Sequence, residues 1–245
     1  MNSGMYAAVS GSLASMKRLD IISNNLANAN TIGFKKDRIS FEGLLASATP
    51  QPQVPQSTTA DPILQKENVF IDFASGMSRQ TGNPLDVSLD GDGFFAVTTP
   101  DGTAYTRQGN FRLSADGTLV TQDGLPLQAQ GGGNVRIQGS RVEIDGKGAI
   151  MVDGTAVGAL NVVDFQKPYN LTKTANALFV PVNPQEATQP GTAAVQQAHL
   201  EGSNVESISE MIQMIETNRY FEACSKVIKG YDDMATKAAN EIGRV

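Results

Sequence analysis

Ser23-Asn24-Asn25-Leu26-Ala27-Asn28-Ala29-Asn30-Thr31-Ile32-Gly33-Phe34-Lys35-Lys36 closes an apolar-periodic segment with a dense run of asparagines, one glycine, one aromatic ring and two lysines. Asn tolerates left-handed backbone angles, and its side chain satisfies loose carbonyls at a helix end. Gly33 reaches positive φ without steric cost. A long helix must therefore stop here, and the chain must leave it in a specified direction.

Upstream of this stop, Met5, Val9, Ser12, Met16, Leu19, Ser23 and Leu26 recur at alternating spacings of four and three. That is a heptad seam. Gly4 and Gly11 weaken the helix by about 1 kcal/mol each relative to Ala, so it needs a partner. The C-terminal segment offers one. Residues 203–243 read as a second helix, opened by the capping-box spacing Ser203-Asn204-Val205-Glu206. One of its seams is Ile208, Met211 and Ile215; a second, shifted in phase, runs through Phe221, Cys224, Ile228 and Tyr231. Residues 1–45 carry five basic and three acidic residues, residues 200–245 five basic and eight acidic, so the two ends are weakly complementary in charge.

Downstream of the stop, composition shifts twice. Residues 37–67 hold Pro50, Pro52, Pro55 and Pro62 among Gln, Ser, Thr and Ala, and read as an extended arm. Residues 183–199 have a similar composition and read as a second linker. Between them, residues 68–182 are punctuated by Asp-Gly pairs at 101–102, 116–117, 123–124, 145–146 and 153–154 that separate short apolar runs. Asp-Gly between alternating hydrophobics signals hairpins. The expected fold class is α+β: paired long N- and C-terminal helices, coiled-coil-like, with an inserted, mainly antiparallel β domain. Its segments are 1–36 (helix and Asn-rich stretch), 37–67 (arm), 68–182 (β domain), 183–199 (linker) and 200–245 (helix).

The 245 residues carry a net charge of −6, which argues against a nucleic-acid partner held by counterion release. Cys224 is the only cysteine and His199 the only histidine, so neither a disulfide framework nor a His/Cys zinc set is available. No apolar run is long enough for a membrane span, and the N-terminus lacks a basic-then-apolar signal pattern. Asp90, Asp92 and Gly93 evoke a calcium loop, but an EF-hand alignment places Thr99 where the bidentate Glu belongs. No acid/base pair or nucleophile stands out. No cofactor, metal or small-molecule substrate is expected, and no catalysis. A different class, an adhesive or glycan-binding β domain on a helical stalk, would need an aromatic platform; the chain has no Trp and scattered tyrosines.

The quoted stretch, through Gly33-Phe34-Lys35, resembles the N-terminal signature of bacterial flagellar rod and hook proteins. That pattern usually has Pro immediately before the Gly; here Ile32 stands there. Thr81-Gly82-Asn83-Pro84-Leu85-Asp86-Val87, Asp90-Gly91-Asp92-Gly93-Phe94-Phe95 and Tyr105-Thr106-Arg107-Gln108-Gly109-Asn110-Phe111 resemble the same family's β domain, and Leu200-Glu201-Gly202-Ser203-Asn204-Val205 its C-terminal signature. The resemblance implies a structural subunit of the flagellar basal-body rod. Its partners would be other rod subunits and the flagellar type III export apparatus, and its place the rod within the periplasm, reached without a cleaved signal peptide. It implies assembly through the terminal helices, with Met5, Val9, Met16, Leu19, Leu26, Ile208, Met211, Ile215, Phe221, Ile228 and Tyr231 at the interface. Asn24, Asn25, Asn28, Gly33 and Phe34 form the signature turn. Phe41 and Leu45 have the aromatic-x-x-x-apolar form of an export motif.

Overall fold

The computed structural model describes residues 3–42, 66–183 and 188–242, and they fall into two compact units. The first comprises residues up to Ala27, Asp37–Asp72 and Glu206 onward; the second comprises Asn28–Lys36 and Phe73–Val205.

In the first unit, helix α1 spans Ser3–Ala27 and helix α2 Ser207–Ile242. Strands β1 (Asp37–Glu42) and β2 (Lys66–Ile71) pair antiparallel, with Asp37 opposite Ile71 and Phe41 opposite Glu67. The helices pack on each other, but the expected coiled-coil-like pairing is corrected here. The buried line of α1 is Ala8, Ser15, Ile22 and Asn25, with Gly4 and Gly11 on the same four/three spacing. That line lies one residue before the apolar seam. Met5, Val9 and Met16 are 36–50 % exposed. On α2 the buried residues are Glu210, Thr217 and Cys224. Apart from Ile22, this seam is made of small and polar side chains, not of interdigitating apolar knobs. The reason is close approach. A β-carbon on Gly4 would stand 2.5 Å from the Tyr231 hydroxyl, and one on Gly11 3.2 Å from Cys224 Sγ. Glycine is what lets Tyr231 and Cys224 lie this close to α1.

The second unit is built on a six-stranded antiparallel sheet in the order β13-β14-β6-β5-β12-β15. Its central strands are β5 (Phe94–Thr99) and β6 (Gly102–Thr106), flanked by β12 (Val162–Asp164) and β14 (Leu178–Pro181); β13 (Leu171–Thr174) and β15 (Gln189–Pro190) close the edges. Strand β5 is buried from Phe94 through Val97, on both faces. Phe95 and Val97 enter the main core with Val87, Phe111, Leu119 and Ile150. Phe94 enters an aromatic cluster with Phe73, Tyr169 and Phe179 at centroid distances of 5.6 Å. The Asp-Gly turns shape the periphery, where the short strands β7 (Arg112–Leu113) and β8 (Leu119–Val120) pair on either side of Asp116-Gly117 and β9 (Val142–Ile144) precedes Asp145-Gly146. Between β10 (Ala149–Val152) and β11 (Thr155–Ala159), Asp153 and Gly154 have φ of 50° and 83°. Positive φ at both central positions is the twist-matched two-residue hairpin turn.

The stretch 183–199, read as a linker, carries strands. Beyond β15 come β16 (Ala194–Gln197), paired with β4 (Val87–Asp90), and β17 (His199–Glu201), paired with β3 (Ser78–Gln80). Pro190 is tolerated because β15 is an edge. Such strands are too short to raise a periodicity.

Tyr169 gives the second unit an alkaline limit. Its hydroxyl donates to Asp164 Oδ1 at 2.9 Å. Burial first, then the Asp164 carboxylate, raise its pKa far above the ordinary phenol value; burial also raises Tyr105. The folded state keeps these protons after the unfolded chain has released them. Stability is therefore full below about pH 10 and falls as pH rises beyond it. Urea midpoints between pH 9 and 11.5 are expected to decline with pH, and Tyr169→Phe to decline less steeply. An equal slope in the two chains would remove Tyr169 from this account.

Candidate functional site

The signature turn belongs to the second unit, and its conformation follows from its residues. Asn28 accepts twice from Thr31: its carbonyl from the backbone N–H at 3.0 Å, its Oδ1 from the hydroxyl at 3.1 Å. Thr31 O then accepts the Phe34 N–H at 3.3 Å, with Gly33 at φ 66°. Positive φ at the third position of a four-residue turn demands Gly, and the second position, here Ile32, favours Pro. Ile32→Pro is expected to stabilise the chain by about 0.4–1 kcal/mol through the unfolded state. A higher thermal midpoint checks this; a lower one would mean that the backbone at Ile32 differs from what proline requires.

The turn docks backbone-first. A β-carbon on Gly33 would lie 2.4 Å from the Arg107 carbonyl carbon. Phe34 is buried, with Lys173 Nζ 4.2 Å from its ring centroid. Lys173 Nζ also donates to Lys35 O at 2.6 Å. The adjoining Lys35 is fully buried. Its Nζ donates to Glu201 Oε1 at 2.6 Å and to Ala74 O at 2.8 Å.

Glu201 is the hub. Its Oε1 also accepts the Gly76 N–H at 2.9 Å, and its Oε2 faces Arg107 Nη1 at 3.3 Å. Arg107 Nη2 donates to Gly91 O at 2.7 Å, and the guanidinium lies 5.3 Å from the Phe94 centroid. Two buried cations thus share one buried carboxylate. Taking charges out of water costs several kcal/mol per ion, and the carboxylate and the surrounding carbonyls offset that cost. The satisfaction is incomplete, since Arg107 Nε is buried with no hydrogen-bond partner among the described residues. Lys35, Arg107 and Glu201 were not among the residues singled out from the sequence. The available signal was their place inside the quoted motifs; of the three, only Glu201, between Leu200 and Gly202, is a lone charge flanked by an apolar residue and a glycine.

The remaining signature residues lie in the first unit. Asn25 is buried and clamps Asp37: its Nδ2 donates to Asp37 O at 2.9 Å, and its Oδ1 accepts the Asp37 N–H at 3.0 Å. Glu210 Oε2 stands 3.5 Å from the same Nδ2. Asn24 is exposed.

The helix residues sort by face. Met5, Val9, Met16, Ile208, Met211 and Ile215 are exposed. Leu19, Leu26, Phe221, Ile228 and Tyr231 are half-buried. Phe41 lies in β1; Leu45 lies outside the described residues. His199, read as solvated, is half-buried in β17, its Nδ1 2.8 Å from Gln197 O. In the stretch resembling a calcium loop, Asp92 pairs with Lys167 at 2.6 Å, and that hydrogen bond lowers its pKa. Among the described residues no group of three His, Cys, Asp or Glu side chains could hold a metal ion, and no helix is long and apolar enough to cross a membrane.

Three stretches match known families. Residues 5–35 match the flagella basal body rod protein family, residues 88–152 the flagellar hook protein FlgE/F/G D1 domain, and residues 196–241 the flagellar basal body rod FlgEFG protein C-terminal domain. The chain is 33 % identical to the flagellar basal-body rod protein FlgG of Bacillus subtilis, over 96 % of this chain and 97 % of that protein. The chain belongs to the flagellar basal-body rod protein family. It is also 30 % identical to the rod protein FlgF of Caulobacter vibrioides over all of both chains, and 30 % identical to FlgF of Rhizobium meliloti over 99 % of each. The role of this rod-family chain is that of a structural subunit. Each family match supplies one member of the buried ion triad: Lys35, Arg107 and Glu201 in turn. The rod-family signatures, distant in sequence, are thus the parts that meet at one carboxylate.

Proposed function

We propose that this chain is a subunit of the flagellar basal-body rod that joins neighbouring rod subunits through the outward faces of α1 and α2. It would reach the periplasm through the flagellar type III export apparatus, without a cleaved signal peptide. The observation that carries the assembly reading is the direction of the apolar side chains. The two helices meet mostly through small and polar residues, while Met5, Val9, Leu13 and Met16 on α1 and Ile208, Met211, Ile212 and Ile215 on α2 are exposed. A contiguous apolar face of this kind marks an interaction surface. A rod needs contacts that repeat without closing, and a face distinct from the one that pairs the chain's own helices supplies them.

Among rod proteins, the FlgF type is favoured. The alignment with FlgF of Rhizobium meliloti needs 246 positions to cover 99 % of each chain, whereas that with FlgG of Bacillus subtilis needs 259 to cover 96 % of this chain. The opening Met1-Asn2-Ser3-Gly4-Met5-Tyr6-Ala7-Ala8 also looks more like FlgF. FlgG is the second reading, supported by its 33 % identity. Charged substitutions on the outward faces, followed by isolation of basal bodies, test the assembly reading.

A further inference from the structure

We infer that the C-terminal motif Glu201–Asn204 is a latch on the N-terminal turn, so that residues 28–36 cannot hold their conformation until residues 199–204 are in place. Four bonds join the two segments. Gly33 N–H donates to Glu201 O at 2.8 Å, Lys35 Nζ to Glu201 Oε1 at 2.6 Å, Lys36 N–H to Asn204 Oδ1 at 2.8 Å, and Asn204 N–H to Phe34 O at 3.3 Å. The same motif ties down the chain between them: Asn204 Nδ2 donates to Ala74 O at 3.1 Å, and Gly202 N–H to Met77 O at 2.8 Å.

The electrostatics make the dependence strong. Lys35 is fully buried, and a buried ammonium without a counter-charge is expensive. Before Glu201 arrives, the pocket for Lys35 already contains the Arg107 guanidinium, a like charge. The turn is therefore opposed, not merely unsupported, until the carboxylate 166 residues further on is present. A chain made from its N-terminus has its signature turn synthesised early and secured last. Coupling of this kind is reciprocal: whatever loosens the turn loosens the motif by the same factor. The inference does not depend on how the subunits assemble.

The test is native-state hydrogen exchange of the full-length chain, read by mass spectrometry over residues 28–36, 199–204 and 94–106. Asn204→Ala removes two side-chain bonds and leaves the buried charges as they are. It is expected to speed exchange in 28–36 at least tenfold, with 94–106 unchanged. Gly33→Ala, which places a β-carbon against the Arg107 backbone, is expected to speed exchange in 199–204 similarly. In pulse-labelled refolding of the parent chain, 28–36 and 199–204 should gain protection together, after 94–106. Unaltered protection of 28–36 in Asn204→Ala, or protection of 28–36 ahead of 199–204 during refolding, overturns the latch.

Discussion

Glu201→Gln is expected to cost the second unit about 3–5 kcal/mol, the range for breaking a buried ion pair from one side. Glutamine preserves the shape and one acceptor oxygen but not the charge. Lys35 Nζ at 2.6 Å and Arg107 Nη1 at 3.3 Å would then face an amide with no anion beside them. The asymmetry within the triad sharpens the expectation. Lys35→Met also removes an ion, but it leaves the Arg107–Glu201 pair intact and puts an apolar chain of similar length into the vacated space. It should therefore cost clearly less. The double variant Lys35→Met/Glu201→Gln should be more stable than Glu201→Gln alone, because only one cation remains uncompensated. Denaturant midpoints at neutral pH decide it. If Lys35→Met proves as damaging as Glu201→Gln, the hub is Lys35 and the charge argument is wrong.

Charged residues on the outward helix faces are expected to abolish incorporation into the rod while leaving the subunit folded. Leu13→Glu and Ile215→Glu are the sharpest choices, at 62 % and 55 % exposed. In the free subunit a glutamate there remains hydrated, and surface changes of this kind stay within about 0.5 kcal/mol. In an assembled interface the same carboxylate is stripped of water. A hot-spot loss of about 2 kcal/mol or more is roughly thirty-fold in affinity at each contact. A repeating assembly makes the contact once per subunit, so the loss compounds along the shaft. The readouts are circular dichroism and thermal midpoint for the free chain, and the content of isolated basal bodies together with swimming in cells that carry only the variant. Normal incorporation of both variants would remove these faces from the interface. A lowered midpoint in the free chain would mean that the faces belong to the fold itself.

The sequence showed both helices because a 3.6-residue period is written in their side chains. It misplaced the register of α1 by one residue for a physical reason. Bulk was taken as the mark of the inward face, but Gly4, Ala8, Gly11 and Ser15 face inward because the helices come close, and the bulky Met5, Val9 and Met16 are left outside. The hairpins were legible where the turn chemistry is strict, as at Asp153-Gly154. Strands β15 to β17 were not, since two to four residues carry no period. The triad was the least visible feature. Arg107 lies 94 residues and Lys35 166 residues from Glu201, and no local pattern encodes a meeting over such separations. What could be read was that each sits in a stretch resembling a signature.

The burial of that triad also governs how the subunit meets dissolved ions. Screening acts through mobile counterions: at about 0.15 M salt they damp exposed charge pairs beyond about 8 Å, but buried pairs far less. Lys35 and Glu201 have side chains 0 % and 3 % exposed, so counterions have no path to them. Apolar contacts between helix faces carry no charge to screen. If subunits join through those faces as proposed, raising the sodium chloride concentration is expected to do little to take the shaft apart.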